Sequence, residues 1–264
     1  MALSDHFREL RARLMRIAAY LIIFGAFGLY WAYNHPFGLP SLFDLISEPY
    51  KKAQETLKEK VITEPVIGDL GGPLLFQLKL AGVFALIATS PLWLLEIWRF
   101  ILPGLHKHER KYTRLFAVVA GPVFLGGVAL GYYVLPKGIS VLLGFTPGFV
   151  TSLVDFGNYF SFVVRMLLIF GVAMEIPLFV VLLNLAGVVP GRTLAKYRPW
   201  IILGTFIFAA VATPSTDPFS MLMLALPMVV LFIAAEIFAR VSDRMRGRNR
   251  HSTDQWRDDE LSPI

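Results

Sequence analysis

"PWIILGTFIFAAVATP", residues 199–214, is an apolar run closed at both ends by proline. Its apolar part, 200–212, is about 13 residues, which as a helix at about 1.5 Å per residue spans roughly 20 Å. The hydrocarbon of a bilayer is about 30 Å thick. The two prolines leave the run little room to lengthen. Whether so short a segment crosses decides how many times the chain does, and therefore on which side its basic C-terminal residues emerge.

The rest of the chain settles that parity. It has 264 residues, 56% of them hydrophobic, with a mean hydropathy of +0.61. A soluble domain of that length has no place to bury so much apolar surface. Five further apolar runs lie near 15–33, 73–98, 114–136, 158–187 and 218–239. Arginines and lysines cluster in alternate connections: Arg8, Arg11, Arg13 and Arg16 in the N-terminal arm, Arg99 to Arg114 in the second loop, Arg192, Lys196 and Arg198 in the fourth, and six arginines from Arg240 to Arg257 in the tail. The other side has only Lys51, Lys52, Lys58, Lys60 and Lys137. Cytoplasmic loops carry the excess of basic residues, so both termini are expected in the cytoplasm, and the short run at 199–212 must cross. The net charge of +6 is thus a matter of topology and not of nucleic-acid binding.

The expectation is an all-α polytopic membrane protein: a six-helix transmembrane domain over 1–239 and a basic then acidic, disordered cytoplasmic tail over 240–264. The long outer loop, 34–72, contains "SEPYKKAQETLKEK", which predicts a surface helix. The first apolar run is followed by bulky "YWAYNHPFG" and no small-x-small site, so it does not read as a cleaved signal. No internal repeat stands out.

Catalytic patterns are missing. There is no cysteine, and the five histidines lie outside the apolar runs. Neither a zinc-protease HExxH nor a phosphate-cradling GxxxxGK[ST] is present. His106 and His108 sit in a basic loop without a carboxylate cluster. No enzyme, metal site or cofactor is expected.

Ionisable residues at membrane depth are costly and point to function. Glu175, in "FGVAMEIPLFV", falls near the middle of the fourth run, and Pro177 lacks the N–H that would bond the Ala173 carbonyl. It is either a protonated side chain packed at a kink or a polar contact for a substrate or partner helix. Lys79 and Arg165 lie one and a half to two turns inside the outer boundary, where they can snorkel. Glu96 reads as interfacial, and Asp217, in "TPSTDPF", as the cap of the last helix.

Two carboxylates stand out on the cytoplasmic side. The arm "LSDHFRELRARLMRI", residues 3–17, repeats apolar residues at Leu3, Phe7, Leu10, Leu14 and Ile17, one stripe of a helix. Arg8, Glu9, Arg13 and Arg16 occupy the opposite face, so this helix is expected on the membrane surface ahead of the first span. Glu9 has Arg13 four residues on, a weak and exchangeable pair. In "FILPGLHKHERKYTRLF", residues 100–116, Glu109 has no Lys or Arg three or four residues away despite its basic surroundings. Two such carboxylates bordering one membrane face suit a cationic ligand, and arginine best, because its planar fork can bond a carboxylate at two points.

At these residues the chain resembles the TatC family, the receptor subunit of the twin-arginine protein translocase. "HFRELRARL" resembles the family's N-terminal signature and "FILPGLHKHERK" its first cytoplasmic loop. "FGVAMEIPL", "KYRPWIILGTFIFAAVATPSTDPFS" and "LALPMVVLF" resemble its last three spans in order, so the likeness runs from about residue 4 to 240. The resemblance implies six helices in a cupped, glove-like arrangement in a prokaryotic inner membrane. It implies that Glu9 and Glu109 bind the paired arginines of a signal peptide, with Arg13, Phe100, Pro103, Leu105 and Arg110 around them. Pro49 matches an outer-loop proline, Glu175 the mid-membrane glutamate and Asp217 the outer-turn aspartate. Met221 stands where some members carry a glutamine that contacts partner helices, and Ile233 where glutamate is common, with Glu236 one turn later. The implied partners are twin-arginine signal peptides of folded precursors, TatA- and TatB-type single-span subunits and further copies of the chain, with export driven by the proton-motive force. A secondary transporter using Glu175 is the alternative from another class, and it would predict paired repeats around a midplane pocket.

Overall fold

The computed structural model describes residues 3–57, 63–66, 71–101, 110–146, 152–185, 187, 189–213 and 217–245. Along these run the helices α1 (Leu3–Trp31), α2 (Leu42–Leu57), α3 (Gly72–Ala88), α4 (Ser90–Ile101), α5 (Arg110–Gly144), α6 (Phe156–Leu185), α7 (Gly191–Lys196), α8 (Arg198–Ala212) and α9 (Pro218–Met245). Phe7–Trp31, Val118–Gly144, Phe156–Leu185 and Pro218–Met245 are each long and apolar enough to cross a membrane. α3 and α4 together make a fifth such stretch, and α8, with 15 residues, is the short apolar helix expected at 199–212.

Four of the expected elements take a different form. The arm is no separate surface helix, because α1 runs unbroken for 29 residues. No proline interrupts it, and extending a formed helix is easier than nucleating a second one. The run at 73–98 is broken at Thr89, where α3 and α4 meet at 58°. Pro91 cannot donate to the carbonyl four residues back, and its ring crowds that turn. Thr89 closes α3 by donating its hydroxyl to the Ala85 carbonyl at 2.7 Å, and the Trp93 indole N–H takes the Leu86 carbonyl at 2.9 Å. The run at 114–136 continues through Pro136 to Gly144, since Ile139 and Leu143 belong to the core. α9 likewise passes the boundary drawn at 239 and ends at Met245, with Ser242 and Asp243 buried.

The outer helix α2 is the helix expected there, exposed along Lys51, Lys52 and Glu55, and its other face belongs to the core. Ile46, Tyr50 and Ala53 pack with α5 and α6 residues in the main apolar cluster. It opens with a reciprocal cap: Asp44 N–H donates to Ser41 Oγ at 3.1 Å, while the Ser41 hydroxyl and N–H donate to Asp44 Oδ2 at 2.6 and 3.2 Å. Those bonds, chiefly the hydroxyl's, hold the Asp44 carboxyl below its ordinary range. Pro49 sits inside α2 and withholds an N–H from the Leu45 carbonyl. The Tyr132 hydroxyl of α5 donates to that oxygen at 2.8 Å, and the Tyr159 hydroxyl of α6 donates to the next one, Ile46, at 2.6 Å.

Two short strands unforeseen in the sequence, β1 (Thr63–Val66) and β2 (Ser152–Asp155), pair in parallel, Thr63 opposite Ser152 and Val66 opposite Asp155. They lead into α3 and α6 and bring the starts of these helices to one end of the bundle. Between α5 and α6 the backbones touch. A Cβ on Gly127 would lie 2.5 Å from the Phe170 carbonyl oxygen, and one on Gly131 3.0 Å from Phe170 Cβ. This small-xxx-small spacing is the packing expected where lipid removes the hydrophobic drive between helices.

Candidate functional site

The apolar stripe of α1 faces outward, as a membrane-surface helix requires, but the charged face packs on the protein instead of facing water. Phe7, Leu10 and Leu14 are exposed, at 63%, 41% and 62%, whereas the Arg13 side chain keeps only 12% of its surface. The apolar stripe points away from the protein and the polar face packs on α4. The reason is the solvent: beside lipid, charges gain by turning inward to one another, and apolar side chains lose nothing by facing out.

On that inward face, positions 9, 13 and 16 of α1 meet the C-terminal half of α4. Arg13 forms an ion pair with Glu9, as the spacing predicts, and donates from Nη1 to the Glu96 carbonyl oxygen at 3.1 Å. Its guanidinium also lies 5.8 Å from the centroid of the Phe100 ring, within cation–π range. Arg16 Nη2 stands 3.1 Å from Glu96 Oε2. Glu96 is 4% exposed, so within the protein it is a buried counter-ion, a partnership the sequence did not suggest. Glu9, Arg13 and Phe100 are therefore brought together, with Arg16 and Glu96 as the unforeseen members.

The chemistry of this cluster is exchange. Arg13 has three anchors, so it stays in place if the Glu9 carboxylate takes another partner. Glu9 keeps 37% of its side chain exposed and is reachable. The four charges of Glu9, Arg13, Arg16 and Glu96 cancel, so a ligand with two cations calls for additional negative charge. Glu109, Pro103 and Leu105 lie outside the described residues, and Arg110 is described only as the first residue of α5.

The opposite side of α4 carries Trp98, which faces Glu175 of α6. The Trp98 indole is the polar neighbour of Glu175, whose two carboxylate oxygens are buried. Pro177 lies inside α6, so the kink chemistry expected around Glu175 is present. α4 thus separates two carboxylates, touching Glu9's partner with one face and Glu175 with the other.

The remaining candidates lie elsewhere. Asp217 Oδ1 accepts from the Ser220 N–H at 2.7 Å and so caps α9. Met221, one turn on, packs against the main core, and Pro49 is in α2. A second charge cluster went unforeseen: Arg198 at the start of α8 grips Glu236 of α9 with Nε at 2.8 Å and Nη2 at 2.7 Å, and Arg240 Nη2 adds a contact at 2.5 Å. Nearby, Asp243 accepts from the Gly191 N–H at 2.6 Å and from Asn184 Nδ2 at 3.1 Å, fastening α7 and α6 to α9. Only the Glu236–Arg240 spacing was visible in the sequence. Among the described residues no group of His, Cys, Asp and Glu could hold a metal ion.

Residues 5–227 match the sequence profile of TatC, described as Sec-independent protein translocase protein. A TatC of that description from Corynebacterium kroppenstedtii is 39% identical over 279 residues, covering 100% of this chain and 67% of that protein. The one from Escherichia coli K12 is 33% identical, covering 94% of this chain and 91% of its own length. Two crystal structures of the twin-arginine translocase receptor TatC superpose with TM-scores of 0.69 and 0.66. They share 28% and 26% identity and cover 89% and 90% of this chain, and 99% and 100% of their own.

Proposed function

The chain belongs to the TatC family of Sec-independent protein translocase components, and from that premise we propose that it is the signal-peptide receptor and core subunit of a twin-arginine translocase. It is a multi-pass helical protein of the bacterial inner membrane, with a role in transport and not in catalysis. Six spans, both termini in the cytoplasm and a cupped, glove-like arrangement complete the proposal, with α3–α4 as one bent span and α8 as a short one.

In this reading the paired arginines of an export signal meet Glu9 and Glu109 at the cytoplasmic face. Phe100, Pro103, Leu105 and Arg110 shape the surroundings, and Arg13 holds Glu9 until a ligand guanidinium replaces it. Lysine is discriminated against because its point charge cannot reproduce the two-point fork. Glu175, Asp217 and Met221 serve contacts inside the membrane with TatA- and TatB-type single-span subunits, and several copies of the chain assemble for export of folded proteins under the proton-motive force.

The observation that carries the reading is the Glu9–Arg13–Phe100–Glu96 cluster: a reachable carboxylate whose present partner has other anchors. The test is equilibrium binding of a labelled twin-arginine peptide to the solubilised protein, against the same peptide with both arginines replaced by lysine. Equal binding of the two peptides would overturn it.

A further inference from the structure

Lys79 of α3 and Arg165 of α6 line one groove of about 480 Å³. Lining the same groove, the two cations lie at similar depth. At about 1.5 Å per residue, Lys79 is roughly 10 Å along α3 from Gly72, and Arg165 roughly 14 Å along α6 from Phe156. Arg165 Nε donates to the Ser161 carbonyl at 3.2 Å, which turns the guanidinium toward the start of α6. The groove is also walled by Val83 and Leu86, one and two turns further along α3 than Lys79, and by Val164 beside Arg165.

Two like charges sharing a groove beside hydrocarbon repel strongly, since the low dielectric does not screen them. Among the described residues neither has an acidic partner. Snorkelling alone would not require a shared surface, whereas both residues line one groove. α6, with 30 residues, is roughly 45 Å long and exceeds about 30 Å of hydrocarbon by roughly 15 Å. The level of Arg165 therefore coincides with the border between headgroups and acyl chains when most of the excess lies at the helix start.

We propose that this groove binds one anionic phospholipid, its phosphate between Lys79 and Arg165 and an acyl chain along Val83, Leu86 and Val164. Charge complementarity selects the headgroup, and the apolar walls beside the two cations select a lipid over a soluble anion. The site is independent of twin-arginine recognition, which the proposal places at the far end of the helices.

The test uses the full chain in nanodiscs of equal dioleoylphosphatidylglycerol and dioleoylphosphatidylcholine, followed by native mass spectrometry of retained lipid. The wild type is expected to retain phosphatidylglycerol preferentially. K79Q/R165Q should lower that retention about 25-fold, at roughly fivefold per cation. K79R and R165K keep the charge and should keep the lipid, which separates lost recognition from misfolding. Equal retention of both lipids by the wild type would overturn the proposal, as would undiminished phosphatidylglycerol on K79Q/R165Q. So would displacement by an equimolar amount of inorganic phosphate, which would mark a free-anion site. Loss of single-span subunit association in K79Q/R165Q with lipid retention unchanged would assign the cations to a partner helix and overturn it as well.

Discussion

The Tyr132 hydroxyl donates to the Leu45 carbonyl oxygen at 2.8 Å, replacing the N–H that Pro49 lacks. The outer-loop proline thus has a partner on another helix, and α2 is locked to α5 at the point where its own ladder is interrupted. Tyr132→Phe strands that carbonyl and should cost about 1–3 kcal/mol. Pro49→Ala restores the N–H and should reduce the cost of Tyr132→Phe in the double variant. Thermal unfolding in detergent measures both, and additive losses would show that the two residues act separately.

Glu109→Ala or Glu109→Lys should abolish recognition of a twin-arginine peptide while leaving the fold intact. Glu9→Ala should weaken it less, by about ten- to a hundredfold, the range of one lost charge-assisted bond. Crosslinking of peptide to each variant reads the effect. Undiminished crosslinking in the Glu109 variants would remove it from the site.

Glu236 is 1% exposed and serves two arginines that are each about half exposed. Glu236→Gln should destabilise the α8–α9 pair by about 1–3 kcal/mol, discounted for the solvent around Arg198 and Arg240. Adding Arg240→Gln should recover part of the loss by removing an uncompensated cation. A cysteine crosslink between α8 and α9 that forms equally well in all variants would contradict this.

At Glu175 a hydrogen-bonding role and an electrostatic one part company under substitution. Glu175→Gln retains donor and acceptor without the titratable proton and should preserve assembly with a single-span subunit better than Glu175→Leu. Co-purification of the subunit is the measurement. Assembly by the Leu variant with failure of the Gln variant would exclude hydrogen bonding.

The Asp44 carboxyl is held below its ordinary value by the Ser41 hydroxyl and N–H. A depressed carboxyl contributes its stabilisation above the unfolded value and loses it as pH falls through the folded one. Asp44→Asn should therefore be less stable than wild type at neutral pH. The difference should shrink below about pH 4, as the wild-type group takes up its proton. Unfolding curves that stay parallel across that range would refute the role of the charge.

The apolar runs were legible because length and hydrophobicity alone define them, and alternating basic loops ordered them. That the charged face of α1 would meet α4 and not water was not. A stripe divides a helix into two faces, but the surrounding solvent decides which is inside, and lipid reverses the rule that holds in water. The break at Thr89 had a visible sign in Pro91, whose effect on an otherwise continuous apolar run is local and easily overlooked. Glu9 with Arg13 could be read from their spacing, whereas Glu96 with Arg16 and Glu236 with Arg198 join distant segments that no local pattern connects.

α4 is only 12 residues long, and it bears Glu96 and Phe100 toward α1 and Trp98 toward Glu175. A helix this short is stiff, and the 58° bend at Thr89 sets it off from α3. The grip of Arg13 and Arg16 on one side and the contact with Glu175 on the other are therefore coordinates of a single lever. On the proposed function, an arginine competing for Glu9 would load that lever from one end, and a ligand at Glu175 from the other. Linkage then makes the influence mutual: whatever binding free energy one end lends to the other must be returned in equal measure.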